Sequence, residues 1–307
     1  MEQGAIASFA GRAACCTGGA PGGLCSTAGE VYRIVDGVID LDGYFARIGY
    51  RGSREPTIAT LNAIARAHVE TIPFENLDVL LGRPIDLAPA ALARKLIHDR
   101  RGGYCFEQNG LLLAVLEQLG FDARPLSGRV RWLQPRSYIA RRTHLFVRVE
   151  LETSWIVDVG VGGMSVTSAL RLDTEEPQAT PHETRRLVRE GGRVFHQALL
   201  GDTWNDVWEA TLEEMPVVDR EVASWYTSAH PESSFKQRLT VARALPDGGR
   251  LSIHNRELTA RDRNGHAQHR VISSPDELLG VLADQFGLVF APGTRFPCPA
   301  LDWPAAG

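Results

Sequence analysis

The sequence predicts an α+β protein, in which helices come first, strands follow and a mixed segment ends the chain. Between residues 41 and 120, apolar residues recur at the three- and four-residue spacing of amphipathic helices. From residue 122 to 208 the pattern changes to alternation of apolar and polar residues, interrupted by short turns. With 307 residues, 44% of them hydrophobic, the chain is long enough for two or three packed subdomains. Helical and β segments separated along the chain in this way are typical of the α+β class.

The first 36 residues differ in composition from the rest. From Gly4 to Gly29 the chain consists mostly of Gly, Ala, Ser, Thr and Cys, which are too small to bury an apolar core. The stretch also lacks the basic start and the sustained apolar run of a secretory signal. We therefore expect residues 1–36 to form a disordered extension.

Residues 37–121 are predicted to form a helical subdomain. Pro56 opens one helix, which closes before Pro73, and Pro89 opens another, which ends near the Arg-Arg-Gly-Gly turn. A third helix begins near Cys105 and ends at Gly120, a residue type that suits a C-terminal cap. Its apolar face has the spacing i, i+3, i+4 and i+7, at Leu112, Val115, Leu116 and Leu119.

Residues 122–225 are predicted to form a β subdomain. Five short stretches alternate apolar and polar residues: R-V-R-W, H-L-F-V-R-V, W-I-V-D-V, R-L-V-R and F-H-Q-A-L-L. Such stretches, separated by turns, suggest an antiparallel sheet or a small barrel. Beyond Tyr226, strand-like segments precede a predicted helix at Pro275–Phe286, so we interpret residues 226–307 as a mixed C-terminal portion.

Composition excludes several classes of function. The net charge is −4 and the isoelectric point is near 6.2, which argues against a dedicated nucleic-acid-binding protein. No run of 18 apolar residues exists, so the sequence predicts no membrane span. The cysteines are odd in number and contain no Cys-x-x-Cys pair, which indicates neither a disulfide framework nor a metal site and favours a reducing cytoplasm. They are Cys15, Cys16, Cys25, Cys105 and Cys298.

The stretch R-G-G-Y-C-F-E-Q-N, residues 101–109, is the most informative part of the chain. Two glycines form a tight turn, and Cys105 follows in the first turn of a predicted helix. There the helix dipole and unpaired backbone N–H groups favour the thiolate, which is the nucleophilic form. A cysteine also packs well as a small hydrophobe, so a buried structural thiol is the alternative. The glycine turn and the placement at a helix start favour a reactive thiol.

A catalytic thiol needs a base and a group that orients the base. His144 begins an alternating segment, and Asp158 lies in W-I-V-D-V, where an unpaired carboxylate would be costly. If the two segments form a hairpin centred on Leu151, residue 144 faces 158, 146 faces 156, and 147 faces 155. His144 and Asp158 then lie side by side, whereas a slip of one residue would separate them. A strand histidine and a turn carboxylate without catalytic roles are the alternatives, and His98 is the rival base.

From about residue 40 to the C-terminus, the chain resembles the arylamine N-acetyltransferases. The motifs that carry the resemblance are I-P-F-E-N-L (residues 72–77), R-G-G-Y-C-F-E-Q-N (101–109), T-H-L (143–145), D-V-G (158–160) and S-W-Y-T-S-x-x-P-x-S-x-F (224–235). The resemblance implies a helical bundle, an antiparallel β-barrel at 122–225 and an α/β lid at 226–307, with a papain-like Cys-His-Asp core. It also implies ping-pong transfer of acetyl from acetyl-CoA, through an acetylated Cys105, to an aromatic amine or a hydrazine.

The resemblance further suggests which residues contact the substrates. Phe74, Phe106 and Phe235 are expected in the substrate site, and Thr143, beside the histidine, near the acyl group and the cofactor. Gly160, Gly162 and Gly163 are expected to let the cofactor approach closely, or simply to form a turn after a strand. Val161 stands where many family members have an aromatic residue, so we expect a wider acceptor pocket. Backbone N–H groups near Cys105 are expected to hold the oxyanion of the tetrahedral intermediate.

Three other functions fit parts of this pattern. A papain-like cysteine peptidase would use the same three residues without CoA. An amide synthase that closes a polyketide macrocycle would take a long thioester, which the small Val161 makes conceivable. A binding protein could keep the fold without the chemistry, but the intact Cys, His and Asp argue against it. We therefore predict a cytoplasmic enzyme of xenobiotic metabolism, a monomer or homodimer, with acetyl-CoA as co-substrate and no permanently bound cofactor.

Overall fold

The computed structural model describes residues 38–303. The predicted extension at residues 1–36, with three of the five cysteines, lies outside the described residues. The two cysteines within them, Cys105 and Cys298, are free thiols. No helix among the described residues is long and apolar enough to cross a membrane.

Between residues 38 and 121 the structure describes five α-helices. The two predicted to begin at Pro56 and Pro89 are present, although the second passes into a π-helical turn at Arg94–His98. The third predicted helix begins at Cys105, and Gly120 follows its end with a left-handed φ of 86°. The helices are α1 (Leu41–Ile48), α2 (Ile58–Thr71), α3 (Leu77–Leu80), α4 (Pro89–Ala93) and α5 (Cys105–Gln118).

An antiparallel seven-stranded sheet forms the nearly closed barrel that the sequence predicts. Its strand order is β5-β4-β3-β2-β8-β7-β6. Gln178, between the two edge strands in sequence, links them: its backbone bridges to Arg185 of β6 and its side chain bonds to the backbone of Arg171 of β5. The strands are β2 (Asp122–Val130), β3 (His144–Glu150), β4 (Ser154–Val157), β5 (Leu170–Arg171), β6 (Arg185–Glu190), β7 (Arg193–Leu200) and β8 (Thr203–Glu214).

A second sheet has the order β1-β9-β10-β11-β12 and is also antiparallel. Its first strand comes from the helical segment and pairs with a strand more than 160 residues later, Phe74 opposite Ala242. The strands are β1 (Phe74–Glu75), β9 (Thr240–Ala244), β10 (Arg250–His254), β11 (Glu257–Arg261) and β12 (Ala267–Val271). The remaining helices are α6 (Val217–Ala229), α7 (Ser234–Gln237) and α8 (Pro275–Phe286), the last as predicted.

The predicted boundaries at residues 121 and 225 stay predictions. Strand β1 lies before the first of them yet belongs to the sheet of the C-terminal portion, and α6 runs across the second.

Helix α5 packs between the other helices and the barrel. Its residues Leu111, Leu112, Val115 and Leu116 are completely buried in one core with residues of α2 and of strands β2 and β3. Burial of one such side chain stabilises the fold by about 1.5–3 kcal/mol. The first residue of α5 is therefore held firmly against the start of β3.

Candidate active site

Cys105 is the first residue of α5 and is 4% exposed. Its Sγ lies 3.5 Å from the carbonyl oxygen of Thr143. The helix start is braced by Glu107, whose carboxylate accepts a hydrogen bond from the Tyr104 N–H at 3.1 Å. A Cβ at Gly103 would lie 2.7 Å from that carboxylate, so the glycine of the turn makes room for the brace.

A buried ion pair fixes Glu107 in turn. Lys95 Nζ lies 2.6 Å from Glu107 Oε1 and 2.8 Å from Asp78 Oδ2. Burial raises the pKa of Glu107 to about 7, although the ammonium of Lys95 opposes this shift. We infer that Glu107 and Lys95 hold the thiol in position and take no part in its chemistry.

The predicted register of the β3–β4 hairpin is wrong by two residues. Val147 pairs with Val157 and Arg148 with Ile156, so the hairpin is centred on residue 152 and not on Leu151. The turn closes with a bond from the Leu151 N–H to the Thr153 carbonyl, which leaves three residues between the strands. Because a shift of two residues preserves the side on which each side chain lies, His144 and Asp158 still share one face.

His144 and Asp158 are in direct contact. His144 Nε2 lies 2.7 Å from Asp158 Oδ2, and both side chains are buried. Burial alone would lower the pKa of His144, but the Asp158 carboxylate and a hydrogen bond with Cys105 raise it to about 10. The imidazole is therefore charged at neutral pH, between the thiol and the carboxylate.

Asp158 is ionised although it is completely buried. Its carboxylate accepts hydrogen bonds from His144, from Trp208 Nε1 at 2.9 Å, from Asn109 Nδ2 at 2.9 Å and from the Gly160 N–H at 3.0 Å. Burial would raise the pKa of Asp158, but His144, Asn109 and the Gly160 N–H keep it below its ordinary value. Together, these hydrogen bonds fix the orientation of the carboxylate relative to the imidazole.

Asn109 joins the helix to the strands. Its side-chain amide donates to the Leu145 carbonyl and to Asp158, while its oxygen accepts from the Val159 N–H. The sequence indicates Asn109 only as a brace of the helix start. The residues that Asn109 contacts in the two strand segments, Leu145 and Val159, lie 36 and 50 positions further along the chain.

Trp208 is the functional neighbour that sequence reasoning missed. Its ring stacks on Phe146 at 4.3 Å between centroids, and Phe146 stacks on His144 at 6.0 Å. Its N–H reaches Asp158 from strand β8, 50 residues away along the chain. Alternation places Trp208 in a strand, but no local signal indicates which carboxylate it meets.

Gly160 has a steric reason to be glycine. A Cβ there would lie 2.8 Å from the Cα of Cys105 and 2.6 Å from Asn109 Nδ2. The next two glycines differ: Gly162 has a left-handed φ of 75°, and a Cβ at Gly163 would meet open space. The close approach at Gly160 is therefore to the cysteine itself.

We expect Gly160→Ala to reduce activity severely while the protein stays folded, because the added methyl must displace the Cys105 backbone or the Asn109 amide. A misplacement of about 1 Å at a reactive group can cost about 100-fold in rate. Gly280→Ala is the matched control, since a Cβ at this helical position meets nothing within 4 Å. Steady-state rates and melting temperatures of both variants check the prediction, and unchanged rates for Gly160→Ala would contradict it.

The aromatic residues expected in the substrate site form one cluster beside the cysteine. Phe74 and Phe235 meet edge to face at 5.9 Å, and Phe235 meets Tyr104 in the same way at 5.6 Å. Phe106 is buried in the same cluster. Val161 is half-buried, and its side chain packs against the main core.

A thiol at a helix start, bonded through an imidazole to a buried carboxylate, defines the class of enzymes that transfer or hydrolyse acyl groups through a cysteine. Known proteins place the chain within this class. A family model described as N-acetyltransferase matches residues 57–294. The arylamine N-acetyltransferase of Mycobacterium tuberculosis is 42% identical over 255 residues, which cover 81% of this chain and 89% of the relative.

Solved structures agree with this match. The structure of the Mycobacterium tuberculosis arylamine N-acetyltransferase superposes with a TM-score of 0.78 and 42% identity, covering 81% of this chain and 93% of that one. The Mycobacterium marinum arylamine N-acetyltransferase in complex with CoA gives a TM-score of 0.78 at 40% identity, covering 81% and 92%. The chain belongs to the arylamine N-acetyltransferase family.

Proposed function

We propose that this protein is an acetyl-CoA-dependent arylamine and hydrazine N-acetyltransferase that works through an acetylated Cys105. The observation that carries the proposal is the buried contact of Cys105, His144 and Asp158 at the start of α5, in a chain of this family. CoA is bound by one of the similar proteins, the enzyme of Mycobacterium marinum. We therefore assign acetyl-CoA the role of co-substrate, with no permanently bound cofactor.

The charged His144 suits a thiolate–imidazolium pair. In the first half-reaction the Cys105 sulfur attacks the thioester carbonyl, the C–S bond to CoA breaks, and the CoA thiolate leaves with a proton from His144. We assign stabilisation of the oxyanion to backbone N–H groups around Cys105 and Phe106, at the start of α5. In the second half-reaction the neutral amine attacks the acetyl-cysteine, His144 accepts the amine proton, and the Cys105 thiolate leaves. Asp158 keeps the imidazole oriented throughout.

The substrate contacts are proposed from the same geometry. The edge-to-face cluster of Phe74, Phe235 and Tyr104 offers apolar rings beside the thiol, which suits an aromatic acceptor. Phe106, in the first turn of α5, packs edge to face against Tyr104 of the same cluster. For the acetyl-CoA side we assign Thr143, whose carbonyl lies at Cys105, and the turn that contains Gly160, Gly162 and Gly163.

We expect Val161→Phe to raise KM for bulky arylamines far more than for small hydrazines, because a larger side chain narrows the proposed acceptor pocket. Acylation of Cys105 by acetyl-CoA should change little, since the thiol and its base are untouched. The competing role is core packing, in which case Phe would cost about 1–3 kcal/mol of stability regardless of the acceptor. Acceptor-resolved kinetics beside melting temperatures separate the two, and uniform loss with a lower melting temperature would reject the pocket role.

The setting of the enzyme is also proposed. Free thiols at Cys105 and Cys298 fit a reducing cytoplasm, and the acidic net charge fits a small-molecule enzyme with no nucleic-acid partner. Acceptors of the aromatic amine class fit a role in xenobiotic metabolism. We propose a monomer or a homodimer.

The decisive experiment is a screen of acyl-CoAs against arylamines and hydrazines, with release of free CoA thiol as the readout. Intact mass without acceptor should show one added acetyl group after incubation with acetyl-CoA alone. Peptide hydrolysis without any CoA dependence would instead support a cysteine peptidase. Turnover of long polyketide thioesters with exclusion of acetyl-CoA would support an amide synthase.

A further inference from the structure

A cluster of three arginines around one carboxylate lies outside the reacting groups. Glu183, just before β6, accepts hydrogen bonds from Arg185 at 2.8 Å, from Arg250 at 2.6 and 2.7 Å, and from Arg261 at 2.6 Å. The side chains are 11, 0, 5 and 19% exposed, in the order Glu183, Arg185, Arg250, Arg261. The arginines come from the barrel and from two strands of the second sheet, so this arginine cluster joins the two sheets.

Two of the arginines also donate hydrogen bonds to the backbone of the turn that follows Asp158. Arg185 Nη1 donates to the Met164 carbonyl at 2.9 Å, and Arg250 Nη2 donates to the Ser165 carbonyl at 3.0 Å. Both carbonyls belong to the 160–165 turn, which contains Val161 and the glycines assigned to the substrates. The cluster is therefore bonded to the backbone of the turn at two successive residues.

Three backbone N–H groups in and next to the turn donate hydrogen bonds to other groups of the same segment. Their exchange with solvent therefore measures how well the turn is ordered. The Val161 N–H donates to Ser165 Oγ at 3.1 Å, the Ser165 N–H to the Gly162 carbonyl at 3.1 Å, and the Val166 N–H to the Asp158 carbonyl at 2.8 Å. Ser165 and Val166 are buried residues, and Val161 is half-buried. Loss of order in the turn should expose them to exchange with solvent.

Glu183 is the only carboxylate bonded to Arg185 and Arg250 among the described residues. With one negative and three positive groups, the cluster has a net charge of +2. Burial would raise the pKa of Glu183, but Arg250, Arg185 and Arg261 keep it far below its usual range. Without the carboxylate, the three guanidiniums would repel one another and lose the group that orients them, and those of Arg185 and Arg250 are buried.

We propose that Glu183 is a positioning residue for the acetyl transfer described above: through Arg185 and Arg250 it holds the 160–165 turn in the conformation that receives the substrates. This inference rests on the proposed function. Three of the four donors to Asp158 lie outside the turn, on His144, Asn109 and Trp208. We therefore expect the effect to fall on substrate binding more than on the thiol and its base.

The test uses the full chain with Glu183→Gln, which keeps the size of the side chain and removes its charge, and with Arg250→Lys, which keeps the charge and removes the bond to Ser165. The matched control is Glu190→Gln, because Glu190 is an exposed carboxylate of β6 whose partner is Arg136. Hydrogen exchange is measured on peptides that cover residues 159–166. Steady-state constants and the rate of Cys105 alkylation by iodoacetamide across pH are measured on the folded protein.

Both cluster variants should exchange the amides of Val161, Ser165 and Val166 about tenfold faster than the wild type. KM for acetyl-CoA and for the arylamine should rise about tenfold while kcat and the pH profile of alkylation stay near those of the wild type. Glu190→Gln should change none of these. A purely structural role would lower the melting temperature and leave KM unchanged.

Unchanged exchange in either folded variant would overturn the inference, as would faster exchange with unchanged KM. If Glu183→Gln does not fold, Arg250→Lys decides by the same measurements. Absence of acetyl transfer in the wild type would instead reject the proposed function. The exchange measurement would still decide whether Glu183 orders the turn.

Discussion

Cys105→Ser should abolish both acetylation of the protein and turnover. The hydroxyl of serine is a far weaker nucleophile than the thiolate, and the charged His144 suits a thiolate partner. We expect wild-type protein incubated with acetyl-CoA alone to gain one acetyl mass, and the variant to gain none. Intact mass spectrometry and CoA release check this result, with the melting temperature as a test of folding.

Cys298→Ser is the matched control. Cys298 is the other described cysteine, and its Sγ lies 3.1 Å from the Gln237 carbonyl, in the C-terminal portion. This variant should retain the adduct and normal turnover. An acetyl adduct that survives in Cys105→Ser would remove Cys105 from the mechanism.

Asp158→Asn should reduce kcat by about 1,000- to 10,000-fold, because the amide no longer holds the imidazole in the productive tautomer. The variant should still fold. Its single acceptor oxygen leaves some of the four donors around position 158 unpaired, at a cost of about 1–3 kcal/mol in the free energy of unfolding. Near-normal turnover would show that the contact between His144 and position 158 has no role in catalysis.

Asp158→Asn should also change the pKa of His144, in a direction that the charge of Asp158 predicts. The Asp158 charge raises the pKa of His144 to about 10 against the effect of burial, so removal of that charge should lower the pKa. In the wild type the imidazole should stay protonated through neutral pH and lose its proton only near pH 10. In Asp158→Asn it should lose the proton at lower pH. Histidine NMR titration checks this, with Asp173→Asn, an exposed partner of Arg171, as the control.

Local signals explain what sequence reasoning could predict about the site. The glycine turn, the helix start and the heptad-like apolar face all lie within twenty residues of Cys105, and each depends on backbone geometry near it. Strand alternation likewise places His144 and Asp158 on one face, because side chains alternate with a period of two. That period explains why the predicted contact is present although the register is wrong by two residues.

Contacts between distant segments could not be predicted in this way. Two of the four donors to Asp158 come from α5 and β8. Strand β1 pairs with β9 although Phe74 and its partner Ala242 are 168 positions apart (242 − 74). The three arginines that bond to Glu183 come from three different strands, and no local sequence pattern indicates that these strands meet. Thus the sequence alone determined the fold class, the helix start that carries the thiol and the shared face of His144 and Asp158. Only the tertiary structure decided which buried donors fix the carboxylate and the turn, because hydrogen-bond partners are chosen by packing in space.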